Sequence, residues 1–599
     1  MPFGREQFTI ETDINGEVIN KIYAVELKPV PMEEFQNLTE EEQRLCKPYP
    51  FNPHIYEAAP GIMCEQDVGV PMRDGAILYA DIFRPADSGP DNPVPAILAW
   101  SNYGKRPNEY RPAELVGFTP GVPQGAISEM SKFEAADPAY WVPNGYAVIN
   151  VDIRGIGYSD GYHEQFGKQD AEDGYDFIEW TAEQPWCNGR VAMAGSSALA
   201  MSQWHIAAEQ PPHLACIAPW EGTSDMYRES LNEGGIPCVQ FTNFATAGAA
   251  GKNGIDDMGA MAIKYPLMNA YWEDKIPDFA KIQVPTYACA GWNHFHLRGT
   301  MNAWQKLGTD QKWLRTHREF EWPDFYQTEN LAELKTFFDR YCKDICNGWE
   351  STPPVRICVQ DRFDEDVEKQ RPESEFPLAR TVYEKLYLDA ADGNMKEHPV
   401  SVESSVRYDG TTGEADFDYV FSEDTELTGY CKLRLWVEAD GHDDMDLFIT
   451  IKKLSTEGVE QPVTFFGGTA PHPGAWGKMR VSHRELDEAL STDYQPVQAH
   501  RREQKLSTGE IVPVDIEISP FSRVWHEGET LRVQVAGRYI RDPHWIEPLK
   551  WETDNQGEHV IYTGGPYDSF LQIPVTPPKY DASLVFEVDE SVHPTHPIF

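Results

Sequence analysis

From about residue 65 onward, short apolar runs alternate with amphipathic stretches. The apolar runs fall at 76–83, 94–100, 146–151, 191–194, 214–218, 284–290 and 312–317, and helix-like segments at 170–183, 198–209 and 331–341 lie between them. Short buried runs separated by helices predict a mostly parallel sheet covered on both faces. Residues 1–60 are polar and dotted with proline, and read as an arm lying on the body. Residues 222–282 are rich in Met, Tyr, Trp and Gly without a convincing strand, and an insertion of that size reads as a cap over a site. A second, smaller excursion is expected at 115–140. After the Gly-Trp-Glu-Ser-Thr-Pro-Pro run at 348–354 the period changes to two. Segments 432–437, 512–516, 531–535 and 560–562 alternate between turn residues and predict an antiparallel sandwich or jelly roll. The expected division is therefore an arm at 1–60, an α/β domain at 61–355 with a cap at 222–282, and an all-β jelly-roll domain at 356–599.

Composition narrows the function without naming it. Of 599 residues, 41% are hydrophobic and 12% aromatic, enough for sizeable cores and unlike a disordered chain or a disulfide-stapled scaffold. Ninety-six acidic residues against 51 basic ones leave a net charge of −45. Such a surface repels phosphate backbones and anionic headgroups, so neither nucleic acid nor a membrane surface is an expected partner, and a homo-oligomer stays open. The N-terminus has no apolar core of a secretory signal, and the ten cysteines lack a CxxC pair. The expected location is the cytoplasm, with reduced thiols. GxxxxGK[ST], GxGxxG and HExxH are all absent, and no cofactor or metal is expected.

The strongest local signal is Val191-Ala-Met-Ala-Gly195-Ser196-Ser197-Ala198, where a β-run ends in Gly-x-Ser and a helix begins at once. That is the setting of a nucleophile elbow, with the Ser197 hydroxyl exposed above the sheet edge and the Ala198 N–H aimed at a developing oxyanion. Gly195 and Ala200 supply the small neighbours, Ala200 replacing the usual second glycine one position later. The plain alternative is a tight βα turn built of small residues. Ser101-Asn102-Tyr103-Gly104-Lys105 follows the 94–100 run and offers the Tyr103 phenol to the same oxyanion; otherwise Tyr103 packs at a sheet edge. Trp220, at the end of the 214–218 run, is a candidate for shaping the acyl pocket. The 223–228 stretch beside it reads more simply as a helix start capped by Thr223 or Ser224. His205 reads as structural.

With these features in hand, the chain resembles the cocaine esterase-like and X-Pro dipeptidyl-peptidase family of serine α/β-hydrolases. The resemblance rests on GSSALAMSQW (195–204), SNYGK (101–105), GWNHFHLRGT (291–300) and the C-terminal stretches CKLRLWVEADGHDDMDLF (431–448), SHRELDE (482–488) and GEIVPVDIEI (509–518). It implies an α/β-hydrolase fold with a helical cap and a jelly roll. It also implies a Ser-His-Asp triad acting on small esters or amides, aminoacyl ones among them, through an acyl-serine intermediate. Ser197 and Tyr103 carry over directly. The acid belongs just after the seventh strand, where this chain reads Gly291-Trp292-Asn293-His294 without a carboxylate, so His294 occupies its place. The base belongs after the eighth strand, where His317 is the candidate although the usual Gly-Pro-Trp-x-His-Gly is missing.

Three solutions remain open for the third member: orientation of His317 by His294 or Asn293, a carboxylate from Glu319, Glu321 or Asp324, or an attenuated site. Trp220, Trp292 and Asn293 are the expected substrate-binding residues. His294, His296 and His317 allow a three-histidine metal site on paper, but satisfied loop histidines are the favoured reading. Two rivals to hydrolysis stand: an acyltransferase in which an amine replaces water, and a non-catalytic binding protein with a degenerate triad.

Overall fold

A computed structural model describes residues 6–106, 121–246, 249–465, 470–539, 551 and 553–579. Parts of the expected arm (1–5), of the smaller excursion (115–120), of the cap (247–248) and of the C-terminal region (466–469, 540–550, 552 and 580–599) lie outside the described residues. The central sheet contains β1 (Ile62–Pro71), β2 (Ile77–Pro85), β3 (Val94–Ala99), β4 (Ala147–Asp152), β5 (Cys187–Ser196), β6 (Leu214–Trp220), β7 (Thr286–Gly291), β8 (Lys312–His317) and β9 (Val355–Arg362). Their order is β1-β2-β4-β3-β5-β6-β7-β8-β9, antiparallel from β1 to β4 and parallel from β4 onward. Helices α1 (Lys168–Ala182), α2 (Ala198–Ala208), α3 (Leu297–Lys306), α4 (Glu321–Phe325) and α5 (Thr328–Cys342) connect or follow these strands. This is the mostly parallel sheet that the alternating pattern predicts, in the α/β-hydrolase arrangement that the family resemblance implies.

Every residue of β3, β4 and β7 is buried, because both faces of the sheet are covered. The period of two along each strand feeds two separate cores. Leu98, Ile149 and Met193 pack on one side, while Ile97, Val148 and Ala192 pack on the other. A strand at His54–Ala59 pairs with β1, so a hairpin spans the expected division at residue 60. Likewise β9 pairs with β8, which carries the sheet past residue 355.

The arm is more ordered than its composition suggests. Asn15 and Gly16 both have positive φ, 53° and 87°, and join Gln7–Ile14 to Glu17–Val25 in a tight hairpin. A three-residue strand from the cap, Gly254–Asp256, adds to that hairpin. The cap was expected to hold no strand, and this one is too short for a hydrophobic period to reveal; pairing with the arm creates it. The rest of the cap is a π-helical turn at Tyr227–Leu231 and short helices at Val239–Thr246, Met258–Lys264 and Ala270–Glu273.

The C-terminal part is a sandwich of two antiparallel layers. The long strand Thr425–Asp440 pairs with Val512–Trp525, Glu558–Thr563 and Phe570–Val575. In the facing layer Thr530–Ala536 pairs with Asp446–Leu454 and Glu414–Val420. Inward residues such as Leu433, Leu435, Ile449, Ile451, Ile516 and Val533 form the core between them.

One buried cation holds the ends of β3 and β4 together. Lys132, fully buried, donates to the carbonyls of Ala99 (3.3 Å), Ser101 (3.1 Å) and Val151 (2.7 Å). Its ammonium fixes the loop that carries Tyr103. Lys132→Met would leave these carbonyls without that donor, and is expected to lower stability by about 2–4 kcal/mol. Guanidinium unfolding checks this; an unchanged midpoint would refute the role.

Candidate active site

Ser197 sits between β5 and α2 with φ 54° and ψ −117°, a backbone conformation that non-glycine residues adopt only under constraint. Two hydrogen bonds supply it: the Ser197 N–H donates to Trp220 O (3.1 Å), and the Ser196 N–H donates to Glu134 O (3.2 Å). Gly195 has φ 135°, and a Cβ there would lie 2.6 Å from Leu199 Cδ2 and 2.9 Å from Glu134 O. Only glycine fits, which explains the Gly-x-Ser spacing. Ala198 opens α2, so its N–H belongs to the helix turn that has no intrahelical acceptor. The Tyr103 hydroxyl donates to Ser197 Oγ at 3.4 Å.

The imidazole facing the serine is that of His296. Its Nε2 lies 3.2 Å from Ser197 Oγ, and its Nδ1 lies 2.8 Å from Thr223 Oγ1. His296 is the N-cap residue of α3. Helix α3 reaches Thr223 because residue 299 is glycine: a Cβ there would meet Thr223 Cα at 2.6 Å and Gly222 O at 2.7 Å. Burial, then the neighbouring His294, pulls the His296 pKa well below the ordinary histidine value, so the ring is neutral at neutral pH. A neutral ring whose Nε2 accepts the serine proton carries its own proton on Nδ1 and gives it to Thr223. Serine, imidazole and threonine hydroxyl thus form a row in which no member is charged.

His317 lies elsewhere. It is the last residue of β8, and its Nε2 stands 2.9 Å from Glu221 Oε1 and 3.6 Å from Asp324 Oδ2, while Nδ1 lies 3.1 Å from Glu319 O. Both ring nitrogens face acceptors. Burial opposes its charge, but Asp324 and Glu221 overcome that and raise the pKa above the ordinary value. Asp324 answers in kind: burial raises its pKa, but Arg315 and His317 bring it down to about 2. His317 is therefore held among carboxylates that raise its pKa, and is not the ring that meets Ser197. The reason is positional: a strand-end residue is pinned by the ladder, and the base needs a loop that folds back over the elbow.

His294 does take up the expected place of the acid after β7, but it does not orient His317. Its Nδ1 accepts the N–H of His296 at 3.0 Å, and its Nε2 lies 3.6 Å from Glu321 Oε1. It shapes the turn that presents His296. Of the carboxylates considered for the third member, Asp324 is near His317, Glu319 offers it a main-chain carbonyl, and Glu321 faces His294. His296 Nε2 faces Ser197, His294 Nε2 faces Glu321 and His317 Nε2 faces Glu221, so the three rings do not turn toward a common ligand point. Among the described residues, the one group of three whose ligand atoms converge is Asp361, His526 and Glu529, and Lys453 already sits on two of these carboxylates.

Two of the expected substrate-binding residues are core residues. Trp220 is fully buried, donates to Asp324 Oδ2 (2.8 Å) and packs edge-on against Tyr287 and Phe325. Trp292 donates to Cys358 O (2.6 Å) and packs near Phe376. Asn293 donates to Thr464 O (2.8 Å), tying the loop after β7 to the β-sandwich. Half-buried rings flank the reactive row instead: Phe133 edge-on to Tyr103 (5.2 Å), and Phe295 against His296 (4.3 Å) and Phe241 (5.1 Å). His205 is buried beside Phe166, in keeping with a structural role.

Comparison with known proteins places the fold in a family. Residues 74–319 match the family model of X-Pro dipeptidyl-peptidase (S15 family), and residues 347–572 match that of the X-Pro dipeptidyl-peptidase C-terminal non-catalytic domain. The chain is similar to a CocE/NonD family hydrolase of known structure from Staphylococcus aureus, with 38% identity and a TM-score of 0.81, over 86% of this chain and 94% of that one. Cocaine esterase from Rhodococcus sp. (strain MB1 Bresler) is 23% identical over 560 residues, 78% of this chain and 90% of that protein. An alpha-amino acid ester hydrolase shares the fold at 17% identity and a TM-score of 0.63, over 88% of this chain and 98% of that one.

The two histidines can be told apart by substitution. His296→Ala is expected to slow reaction of Ser197 with a fluorophosphonate by about 10²–10⁴, the usual worth of a general base, with little change in unfolding. His317→Ala removes the buried ring that faces Glu221 and Asp324 and is expected to lower stability by about 3–5 kcal/mol. Labelling rates and denaturation midpoints read both; an inert His317→Ala of normal stability beside an active His296→Ala would reverse the assignment.

Proposed function

The chain belongs to the cocaine esterase and X-Pro dipeptidyl-peptidase family of serine α/β-hydrolases, and from that premise we propose how its residues divide the work. The enzyme is a serine hydrolase of esters or amides. Ser197 is the nucleophile, His296 the base, and Tyr103 with the Ala198 N–H the oxyanion hole. The observation that carries this reading is the placement of Ser197 Oγ between His296 Nε2 (3.2 Å) and the Tyr103 hydroxyl (3.4 Å).

As Ser197 Oγ attacks the carbonyl carbon, its proton passes to His296 Nε2. Negative charge moves onto the substrate oxygen, where Tyr103 and Ala198 donate to it. His296 returns the proton to the leaving alcohol or amine, leaving an acyl-serine. Water then attacks, giving its proton to the same nitrogen, and the acid departs with Ser197 restored. Thr223 keeps the Nδ1 proton in place. In a triad, replacing the carboxylate by an amide costs on the order of 10⁴ because it enforces the wrong tautomer. A hydroxyl can accept the Nδ1 proton but can also donate to that nitrogen, so it orients the ring less firmly than a carboxylate and forgoes its charge. The Phe133, Phe241 and Phe295 rings favour an apolar acyl group.

The net charge of −45 weighs against a nucleic-acid or membrane partner, and the free, mostly buried thiols support a cytoplasmic enzyme. Among the described residues no helix is long and apolar enough to cross a membrane. The arm, hydrolase and jelly-roll divisions near residues 60 and 355 are retained, with the strands noted above bridging each.

The test is direct. Wild-type protein is expected to be labelled by a fluorophosphonate at Ser197, mapped by mass spectrometry, and to hydrolyse p-nitrophenyl butyrate; Ser197→Ala loses both. Tyr103→Phe is expected to lower kcat by about 10²–10³, the worth of one oxyanion donor. Because the base is the neutral ring and its pKa lies well below 6.5, activity persists on the acid side of pH 6.5, where an ordinary histidine would already be protonated. A folded wild type that takes no label ends this reading.

A further inference from the structure

One buried carboxylate beside the reactive row has no part in the acyl-transfer scheme. Glu229 lies in the π-helical turn Tyr227–Leu231 and is buried. Four donors converge on it. Its Oε2 accepts the main-chain N–H groups of Ser224 (2.7 Å) and Asp225 (3.0 Å). Its Oε1 accepts the Ser224 hydroxyl (2.8 Å) and an Asn302 Nδ2 proton (3.0 Å). All four donors are neutral, and a side chain without acceptor oxygens at this place would leave two main-chain N–H groups unsatisfied.

The donors follow a pattern. Ser224 and Asp225 come directly after Thr223, whose hydroxyl meets His296 Nδ1 at 2.8 Å. Gly222, directly before it, is held separately. Its N–H donates to Thr300 Oγ1 (2.8 Å), and that hydroxyl has the Gly222 and His296 carbonyls as acceptors at 3.3 and 3.2 Å. Thr300 and Asn302 both belong to α3, and His296 is the N-cap of that helix. Thr223 is thus flanked by two ties to the helix that carries its imidazole partner. Glycine at 299 lets the surfaces close, because a Cβ there would lie 2.6 Å from Glu229 Oε2 as well as from Thr223 Cα. Asn302 is fixed in turn, its Oδ1 accepting Gln495 Nε2 at 2.9 Å.

We propose that Glu229 is a positioning residue for the hydrolytic reaction: its carboxylate binds the turn after β6 to α3 and so sets the Thr223 hydroxyl opposite His296 Nδ1. A hydroxyl can donate as well as accept, so it orients a ring less firmly than a carboxylate does. Its distance from Nδ1 must then be fixed by the backbone that carries it. Thr300 holds that backbone on one side through a single hydroxyl. Glu229 holds the other side through four bonds, three to the turn and one to the helix. Losing the Asn302 bond alone leaves the turn intact and frees it from α3. A displacement of order 1 Å at a catalytic contact is enough to cost up to about 10²-fold in rate.

The tie can be cut and remade by exchanging amide and carboxylate. In Glu229→Gln the amide oxygen still serves the two main-chain N–H groups, but the amide nitrogen faces Asn302 Nδ2, donor against donor, while Asn302 Oδ1 is already engaged by Gln495. Adding Asn302→Asp sets a carboxylate opposite that amide, remakes the bond with donor and acceptor exchanged, and still offers an oxygen to Gln495.

This rests on Ser197, His296 and Thr223 as assigned above. The kcat and KM for p-nitrophenyl butyrate are measured per Ser197 labelled by fluorophosphonate, with a guanidinium midpoint for each protein. The proteins are wild type, Glu229→Gln, Asn302→Ala, Glu229→Gln/Asn302→Asp and Thr223→Val, and the two single changes in the Thr223→Val background. Glu229→Gln and Asn302→Ala are each expected to lower kcat about tenfold with KM unchanged. The Glu229→Gln/Asn302→Asp exchange regains kcat to within about threefold of wild type, and in the Thr223→Val background, with no hydroxyl to place, neither single change lowers kcat by more than about twofold. Wild-type kcat in both single variants overturns the proposal, as does an exchange that folds normally yet regains nothing. A loss that persists without the Thr223 hydroxyl also overturns it, because it marks a purely structural role. If Glu229→Gln does not fold, Asn302→Ala decides by the same outcomes. An unlabelled, inactive wild type overturns instead the assignments beneath the proposal.

Discussion

The strained turn at Ser197 is the constraint from which the rest of the site follows. A positive φ at a non-glycine residue costs of order 1–3 kcal/mol and survives only where the surroundings over-determine it. Here β5 ends against β6, the Ser197 N–H is claimed by Trp220 and the Ser196 N–H by Glu134. Glycine at 195 admits Leu199 and the Glu134 carbonyl at distances no side chain would allow. Once the turn is set, the hydroxyl stands above the sheet edge and α2 starts beneath it. The other groups then come from the loops that end at that edge: Tyr103 after β3, Thr223 after β6, His296 after β7. The parallel sheet is what brings those loop ends together.

Much of this was legible in the chain. Gly-x-Ser at the junction of a period-2 run and a helix, and a tyrosine after the third run, are local signals, and both residues stand where those signals put them. The base was not legible, for a physical reason. His317 closes an apolar run and so looks like a loop histidine, but it is the last residue of β8, opposite Gly291 in the ladder, and its ring is drawn down to Glu221 and Asp324. The ring that faces Ser197, His296, appeared only as half of an H-x-H pair. Its meaning depends on how far α3 approaches Thr223, and that depends on glycine at 299, a contact between residues 76 positions apart. Glu221 gave no signal as a partner of His317, because that pairing depends on β6 and β8 ending at the same edge of the sheet.

The same reasoning explains the tryptophans. Trp220 and Trp292 flank the site in sequence, and an aromatic beside a reactive loop suggests a pocket wall. In a sheet covered on both faces, however, a side chain at a strand end turns inward, and the indole N–H then needs an acceptor. Asp324 and the Cys358 carbonyl supply one each. The rings left half-buried beside the row, Phe133 and Phe295, come from loops, where no ladder dictates direction.

The site also separates charge from chemistry. On one side Ser197, His296, Thr223 and Tyr103 form a row of neutral groups. On the other, Glu221, His317, Asp324 and Arg315 form a buried network of paired charges. Between them stands His294. If the charged network abutted the serine directly, its carboxylates would compete for the Tyr103 and Ser197 protons and oppose the negative oxygen of the tetrahedral intermediate. The His294 imidazole, with Glu221 on one side and Glu321 on the other, keeps the loops after β6, β7 and β8 together. A third member without charge is consistent with this design. A carboxylate at the Thr223 position would help the imidazolium, but it would also set an unpaired anion beside a buried, low-dielectric row, where the desolvation cost is large. The hydroxyl can accept the Nδ1 proton at no such cost, and the reaction's negative charge is met by donors that are already in place.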